Sequence, residues 1–469
     1  MKSKTRKSEY KDLIRKAESL FEVIVLAVEF YLIWRYYYST KNFPHYYGMG
    51  KYVLMMVYAV LVIFTFYLCD SFKFGQLKFS DVFISQIISL LIINTVTYFQ
   101  LSLIANKLIS VYPMLVLLLI EVIIAFGLCY IYTFIYHEMY SPKNMVMIYG
   151  NEKAVSLKFK MDKRKDKYSV KTVVSVDEDM ERIFEIINEH DAVIINDVPA
   201  EKRNDILKYC FGSNIRTYVV PKISDIISRG AVDITLFDTP LMLVKSGGLN
   251  PAQRLVKRAF DILLSSIAIV FASPLMLIIA IAIKAEDRGP VFYKQERVTR
   301  DGRRFDIIKF RSMIVNAEAQ GHAVLATGHD PRITKVGKII RATRLDELPQ
   351  IINIFLGHMS IVGPRPERAE LVEKYMAEIP EFAYRLKVKG GLTGYAQIYG
   401  KYNTSAYDKL RLDLMYIENY TFLLDIKLIV MTVRIMLKKD STEGFDVSED
   451  TEKQAMEYIE EIKSKKNGE

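Results

Sequence analysis

Residues 259–283 read AFDILLSSIAIVFASPLMLIIAIAI, an apolar run of 25 residues that is interrupted near its middle by Ser273-Pro274. Proline removes one helical hydrogen bond and clashes with the preceding turn, so the sequence predicts a break or kink at this point. The residues that flank the run are basic at both ends: Lys257, Arg258, Lys284 and Arg288. Because a crossing would more naturally show a charge asymmetry, the symmetric flanks favour a re-entrant helix that enters and leaves by one leaflet.

The alternative is an ordinary Pro-kinked transmembrane helix, and the two arrangements differ in their consequences. A crossing would place the C-terminal 185 residues outside the cell. A re-entrant helix keeps them in the cytoplasm, at the surface of the bilayer.

Four further apolar runs precede this segment, and each is near or above the ~20 residues that span a hydrocarbon core. They are residues 20–38, 52–69, 82–105 and 114–136. We therefore predict four transmembrane helices within residues 1–140. Seven Lys/Arg lie in the first 19 residues, whereas the loops after the first and third runs hold only Lys41, Lys51 and Lys107. The N-terminus is then cytoplasmic, and four crossings return the chain to the cytoplasm.

Residues 141–245 alternate short apolar runs with amphipathic stretches, which is typical of a parallel α/β sheet and predicts a Rossmann-like module. A dinucleotide site would need G-x-G-x-x-G after the first strand. Here that strand ends in Tyr149-Gly150-Asn151-Glu152, with one glycine and a carboxylate where the anion would lie. The degenerate fingerprint favours a regulatory or oligomerisation module, and a homo-oligomer is compatible with it.

The positive charge of the chain is concentrated just after the 259–283 run. The whole chain has a formal charge of +10, and residues 284–345 hold fourteen Lys/Arg against seven Asp/Glu. A basic surface beside a membrane binds anionic headgroups or the phosphates of a substrate. We do not expect nucleic acid as a partner, since no recognition motif accompanies the five membrane segments. Three scattered cysteines exclude a disulfide framework.

Compact motifs in and after this basic region indicate phosphoryl transfer. Asp346-Glu347 is a pair of adjacent carboxylates. One carboxylate can attack phosphorus, and the other can hold a divalent cation together with substrate phosphates. Cations can neutralise the phosphoryl oxygens. The candidate cations are Lys309, Arg311, Arg341 and Arg365.

Residues 251–443 resemble the bacterial sugar transferases, the monotopic phosphoglycosyl transferases. The resemblance rests on several motifs in one order. They are Lys257-Arg258-Ala259-Phe260-Asp261, Ser273-Pro274, Lys309-Phe310-Arg311-Ser312-Met313, Arg344-Leu345-Asp346-Glu347-Leu348-Pro349-Gln350, Met359-Ser360-Ile361-Val362-Gly363-Pro364-Arg365-Pro366 and Gly391-Leu392-Thr393-Gly394. The whole chain is similar to the long members of the family, which start exopolysaccharide or O-antigen repeat units.

The resemblance implies transfer of a sugar 1-phosphate from a UDP-sugar to undecaprenyl phosphate, with release of UMP. It implies that Asp346 is the nucleophile of a phosphosugar–aspartyl intermediate and that Asp346 and Glu347 hold Mg²⁺. Lys309, Arg311, Arg341 and Arg365 match phosphate- or substrate-binding positions, and Ser273-Pro274 matches the membrane re-entrant break. The stretch 400–404, together with residues 413–419, looks like members that act on glucose or galactose.

These expectations define a complete architecture. It consists of a transmembrane helical bundle (1–140), a degenerate Rossmann-like module (141–245), a mostly α-helical catalytic domain with a re-entrant helix (246–445) and a charged, solvated tail (446–469). The protein is expected in the bacterial inner membrane as a multi-pass protein in contact with lipid, with its catalytic domain in the cytoplasm. The alternatives are a membrane-tethered nucleotide-sugar dehydratase, for which a full glycine fingerprint is missing, and a non-catalytic regulator of polysaccharide assembly.

Overall fold

The structure is a computed structural model, and the chain divides into two compact units. One unit holds Met1–Val220 with the end of the chain, and the other holds Pro221–Thr432. The structure describes residues 10–39, 49–140, 142–244, 247–315, 330, 332–400, 404–436, 453–461 and 464. Residues 401–403, part of the stretch that resembles glucose or galactose enzymes, and most of the 446–469 tail lie outside the described residues.

The first unit begins with a helical bundle. Its helices are α1 (Lys11–Ile33), which continues as a π-helical turn (Trp34–Tyr38), α2 (Gly50–Leu68), α3 (Phe79–Ile104) and α4 (Tyr112–Met139). Helices α2, α3 and α4 are long and apolar enough to cross a membrane. Helix α1 falls short of the same standard because its last eighteen residues carry four charged side chains. One of them, Glu22, is fully buried and accepts a hydrogen bond from Gln86 Nε2 at 2.8 Å. It therefore faces the bundle rather than lipid.

A parallel α/β module follows the bundle. Its elements are β1 (Lys143–Tyr149), α5 (Ser156–Asp162), β2 (Tyr168–Ser175), α6 (Met180–Asn188), β3 (Ala192–Asn196), α7 (Ala200–Gly212) and β4 (Arg216–Val219). The four strands form one parallel sheet in the order β2-β1-β3-β4. The predicted strand–helix alternation is confirmed.

Gly150 at the end of β1 is required by close backbone packing. A Cβ at this position would lie 2.2 Å from the carbonyl oxygen of Asp197, just after β3. Asp197 itself adopts φ +57°, a left-handed conformation that is uncommon for a residue with a side chain. The single glycine thus lets two neighbouring strand ends approach each other.

Residues 453–461 pack on this module, which corrects the prediction of a solvated tail for that stretch. Residues 453–461 are helical, and Ala455 and Ile459 are buried against Val155. The ring of Tyr458 meets that of Phe159 edge-on, with centroids 5.9 Å apart. The apolar side chains lie on one face of an otherwise charged helix, and that face is covered.

We expect Ile459→Ala to loosen the module. Truncating a fully buried Ile costs about 2–4 kcal/mol and leaves a cavity. Amide hydrogen exchange in β1 and β2 should rise, and the thermal midpoint of the first unit should fall. The matched control is Met456→Ala on the same helix, because Met456 is 42% exposed. Equal effects of the two variants would contradict the packing described here.

The second unit is mostly helical. Its helices are α8 (Ile223–Arg229), α9 (Pro251–Asp287), α10 (Lys335–Ala342), α11 (Gln350–Leu356), α12 (Ala369–Glu378), α13 (Tyr395–Tyr399), α14 (Ala406–Glu418) and α15 (Phe422–Met436), of which the part up to Thr432 belongs here. Its strands are β5 (Val232–Leu236), β6 (Thr239–Leu243), β7 (Phe292–Val298), β8 (Arg304–Phe310), β9 (Ser360–Val362) and β10 (Gly391–Thr393). The pairs β5–β6 and β7–β8 are antiparallel, and β9–β10 is parallel.

The boundary between the units lies earlier than the predicted 245/246. Ile223 and Ile226 of α8 are buried in one cluster with Leu410 and Leu414 of α14. Helix α8 therefore belongs to the core of the second unit, and the α/β module ends at Val220.

The apolar run 259–283 lies within α9, which has 37 residues. This helix is long and apolar enough to cross a membrane. The helix is assigned without interruption, with Pro274 in its interior. Ser273 Oγ donates to the carbonyl of Val270 at 2.9 Å, as a serine beside a proline can do. The predicted break does not end the helix, and its re-entrant course in a membrane remains a proposal.

Candidate active site

The two carboxylates of the predicted site lie in a single turn of 3₁₀ helix, Leu345–Glu347, between α10 and α11. The turn begins after Arg344, whose φ of +59° is left-handed. Strained backbone of this kind persists only where the surrounding structure imposes it, and it concentrates at functional sites. The conformation of Arg344 reverses the chain so that Asp346 and Glu347 point into the unit and are partly buried.

Glu347 is held by two cations from different elements. Its Oε1 accepts from Lys309 Nζ at 3.1 Å and from Arg365 Nη2 at 2.9 Å. Burial alone would raise the pKa of Glu347, but the charges and hydrogen bonds of Arg365 and Lys309 lower it well below its usual range. Glu347 is therefore a fixed negative charge at any physiological pH.

Asp346 has the opposite environment. Its Oδ1 is buried and has no hydrogen-bond partner among the described residues. Burial raises the pKa of Asp346, and the neighbouring charge of Glu347 raises it further, against the opposing charges of Lys309 and Arg341. The pKa of Asp346 is thus raised while that of the adjacent Glu347 is lowered. Such a difference between neighbouring carboxyl groups is typical of groups with different chemical roles.

Lys309 is positioned by a buried asparagine on α11. Asn353 Oδ1 accepts from the amide of Ile308 at 2.9 Å, and Asn353 Nδ2 donates to the carbonyl of Asp306 at 2.8 Å. These bonds fasten strand β8 to the helix that follows the dyad. Burial lowers the pKa of Lys309, although the carboxylate of Glu347 opposes this effect.

Arg365 lies in the 363–366 loop. The backbone of this loop packs against the backbone of the motif Gly391-Leu392-Thr393-Gly394. The amide of Gly363 donates to Thr393 at 2.8 Å, and the amide of Gly391 donates to Pro364 at 2.9 Å. A Cβ on Gly391 would lie 2.1 Å from the nitrogen of Gly363. Two motifs that are far apart in the sequence are therefore one structural feature, and it presents Arg365 to Glu347.

The remaining predicted cations lie elsewhere around the dyad. The side chain of Arg341, in the last turn of α10, has no hydrogen-bond partner in the described part of the chain, and its charge acts on Asp346. Arg311 is buried and pairs with Asp287 at the end of α9. The structure thus brings Lys309 and Arg365 to Glu347, places Arg341 near Asp346 and attaches Arg311 to the apolar helix.

Buried charges that are not among the predicted site residues fix α9. Lys257 Nζ donates to Asp425 Oδ2 at 2.5 Å. Asp261 Oδ1 accepts from the hydroxyl of Ser360 at 3.1 Å and from the amide of Ile361 at 3.0 Å. Lys257, Asp261 and Ser265 are all buried and follow each other at intervals of four residues. That spacing at the start of an apolar helix was the available signal, since charges on one helical face need partners.

The dyad offers the hard oxygen ligands that a divalent cation prefers. The unpartnered Oδ1 of Asp346 fits such a role, whereas Glu347 Oε1 already accepts from two cations. In the described part of the chain, no group of three or more His, Cys, Asp or Glu is close enough to hold a metal by itself. A cation at this site would therefore take its other ligands from water and from substrate phosphates.

Comparison with known proteins identifies the second unit. A profile described as bacterial sugar transferase matches residues 252–439. The UDP-N-acetylgalactosamine-undecaprenyl-phosphate N-acetylgalactosaminephosphotransferase of Aeromonas hydrophila is 40% identical over 260 residues, which cover 52% of this chain and 60% of the relative. The UDP-glucose:undecaprenyl-phosphate glucose-1-phosphate transferase of Escherichia coli K12 is 43% identical over 210 residues, 44% of this chain and 43% of the relative.

The chain thus spans about half the length of these longer relatives. A shorter protein of Caulobacter vibrioides, also named UDP-glucose:undecaprenyl-phosphate glucose-1-phosphate transferase, is 37% identical over 210 residues. The match covers 43% of this chain and 78% of that relative. With most of a clearly similar protein contained in it, the chain belongs to the bacterial sugar transferase family.

Proposed function

We propose that this protein transfers a sugar 1-phosphate from a UDP-sugar to undecaprenyl phosphate, as the first step of an exopolysaccharide or capsule repeat unit. The observation that carries the proposal is the asymmetry of the dyad. Glu347 is fixed by Lys309 and Arg365, whereas the adjacent Asp346 has a buried oxygen with no partner in the described structure. A phosphotransferase that forms a covalent intermediate needs one carboxylate oxygen that is not already hydrogen-bonded and that lies among cations.

In the proposed reaction, a carboxylate oxygen of Asp346 attacks the phosphorus that bears the sugar. The bond from this phosphorus to the oxygen of UMP breaks, and UMP leaves. A phosphate oxygen of undecaprenyl phosphate then attacks the same phosphorus and releases the Asp346 carboxylate, which yields undecaprenyl diphosphate sugar. Arg341, Arg365 and Lys309 bind and orient the phosphates, while Glu347 keeps Lys309 and Arg365 in place.

We propose Mg²⁺ as the cation of the site, held by Asp346 and Glu347. When bound, it would neutralise charge on the diphosphate of the donor. Lys309 and Arg365, which both contact Glu347, would supply further positive charge for the donor phosphates.

We further propose that the protein is a multi-pass protein of the bacterial inner membrane, with its second unit in the cytoplasm. The basic N-terminus supports this orientation, and a re-entrant course of α9 places the site at the bilayer surface. A UDP-sugar from the cytoplasm and a lipid phosphate from the membrane would both reach such a site.

A panel of UDP-sugars tests the proposal and names the sugar. Membranes that contain the full chain are incubated with undecaprenyl phosphate and Mg²⁺, and the release of UMP is measured together with the lipid product. Glucose, galactose and N-acetylgalactosamine donors are the first choices, because relatives are named for all three. If no UDP-sugar releases UMP in a lipid-dependent manner, the proposal is wrong.

The pH dependence of turnover should depend on Arg341. The proposed nucleophile is active as a carboxylate, so turnover falls as the pH drops through the pKa of Asp346. The charge of Arg341 lowers this pKa. Arg341→Gln should therefore move the acid limb of the kcat profile to higher pH, whatever happens to the plateau. The control is Lys338→Gln, an exposed position on the same helix, which should leave the limb in place.

A further inference from the structure

A buried ion pair lies behind the 363–366 loop and has no assigned role. Arg385 is 3% exposed and Asp413, on α14, is 1% exposed. Arg385 Nε donates to Asp413 Oδ2 at 3.0 Å, and Arg385 Nη2 lies 2.8 Å from the same oxygen. Neither residue contacts the carboxylates of the dyad in the described structure.

The pair is nevertheless connected to the dyad by hydrogen bonds through Arg365. Arg385 Nη2 also donates to the carbonyl oxygen of Arg365 at 2.9 Å. The side chain of Arg365 is the one that contacts Glu347 Oε1, at 2.9 Å. Two hydrogen bonds therefore lead from Arg385 to Glu347, and Asp413 fixes the orientation of the guanidinium at their start.

We propose that Arg385, oriented by Asp413, is a positioning residue for Arg365 in the sugar-phosphate transfer. This inference rests on the proposed function, because it concerns how Arg365 is presented to Glu347 and to the phosphates. The hydrogen bond fixes the backbone of residue 365, from which the Arg365 side chain extends.

The energetics of the pair favour positioning over stability. Burial raises the pKa of Asp413 to about 6, and the charge of Arg385 opposes that effect. Asp413 Oδ1 has no hydrogen-bond partner in the described part of the chain, so the carboxylate is incompletely satisfied. A buried ion pair is commonly no more stable than well-packed apolar residues of similar volume. The contact of the guanidinium with the carbonyl of Arg365 gives the pair a role other than stability.

Other contacts fasten the same loop at neighbouring residues. Arg297 Nη1 donates to the carbonyl of Pro366 at 3.3 Å, and the amide of Gly363 donates to Thr393. The carbonyl of Arg365 itself is held by Arg385. Loss of the hydrogen bond from Arg385 should therefore leave the 363–366 loop in place and make only the backbone of Arg365 less well fixed.

The first test replaces the pair by apolar side chains in the full chain, as Arg385→Met with Asp413→Leu. Thermal unfolding should stay close to that of the wild type, because no buried charge is left alone. The kcat for UMP release should fall about 10- to 100-fold, and by more than KM rises, as expected for a misplaced catalytic contact. A folded double variant whose kcat is within twofold of the wild type would overturn the inference.

Arg385→Lys provides a second test that does not depend on the apolar variant folding. Lysine keeps the positive charge opposite Asp413 but lacks the planar fork that also reaches the Arg365 carbonyl. Its kcat loss should shrink in an Arg365→Lys background, because the side chain that it positions is already altered. In an Arg341→Gln background the loss should remain in full. Equal losses in the two backgrounds would assign Arg385 a structural role only.

The outcomes separate this inference from the proposed function. If the wild-type chain shows no lipid-dependent UMP release, the proposed function fails. If the wild type is active and the Arg385 variants are equally active, the proposed function stands and the positioning role fails.

Discussion

Asp346→Asn should abolish sugar-phosphate transfer, with a loss of kcat of at least about 10³-fold. The amide of asparagine is neutral and is a poor nucleophile toward phosphorus, so no covalent intermediate can form. The change is nearly isosteric, and Asp346 Oδ1 has no hydrogen bond to lose in the described structure. The folded structure should therefore survive while turnover does not. A donor labelled in the phosphate next to the sugar should label the wild-type protein when undecaprenyl phosphate is left out, and should not label the variant.

The matched control is Asp306→Asn, a carboxylate-to-amide change at an exposed position of β8, in the strand that carries Lys309. It should retain full turnover and full labelling. Two results would remove Asp346 from the role of nucleophile. One is a labelled Asp346→Asn protein, and the other is an Asp346→Asn variant that turns over at the rate of the control.

The sequence predicts which residue types form this site, but it does not predict how their side chains are paired. The Asp346-Glu347 pair and the four cations stand in short motifs that the sequence shows directly. Which carboxylate the cations hold depends on the direction of a single turn. Arg344 in a left-handed conformation sets that direction, and its residue type does not predict it. Hence Glu347, rather than Asp346, receives both Lys309 and Arg365.

For the fold, too, the sequence predicts individual elements better than it predicts which elements pack together. Sequence patterning predicted the helices α2 to α4 from long apolar runs, and the strands β1 to β4 from short apolar runs that alternate with amphipathic stretches. It could not show that α8 packs in the second unit, since an amphipathic helix of seven residues does not specify its partner. Nor could it show that residues 453–461 dock on the module. Ala455 and Ile459 are the whole of the buried face there, among charges that indicate a solvated helix.

Removing one partner of the Lys257–Asp425 pair should strongly destabilise the second unit. Lys257 and Asp425 are almost fully buried, and Tyr416 donates a further hydrogen bond to Asp425 at 2.8 Å. Asp425→Asn would deprive the buried Lys257 ammonium group of the carboxylate with which it pairs, at a cost of roughly 3–5 kcal/mol. For a unit of this size the thermal midpoint should then fall by about 6–20 °C. Thermal unfolding of the detergent-solubilised chain measures the effect.

Two further variants show whether charge pairing is the cause. The apolar combination Lys257→Met with Asp425→Leu leaves no charge unpaired and should recover most of the lost stability. Asp408→Asn, which breaks the more exposed pair with Arg411 on α14, should change the midpoint by little more than a degree. An Asp425→Asn midpoint as close to the wild type as that of Asp408→Asn would refute the argument. Asp261, which lies with Lys257 on α9, accepts a hydrogen bond from β9, and β9 leads into the loop of Arg365. A loosened α9 should therefore also lower turnover.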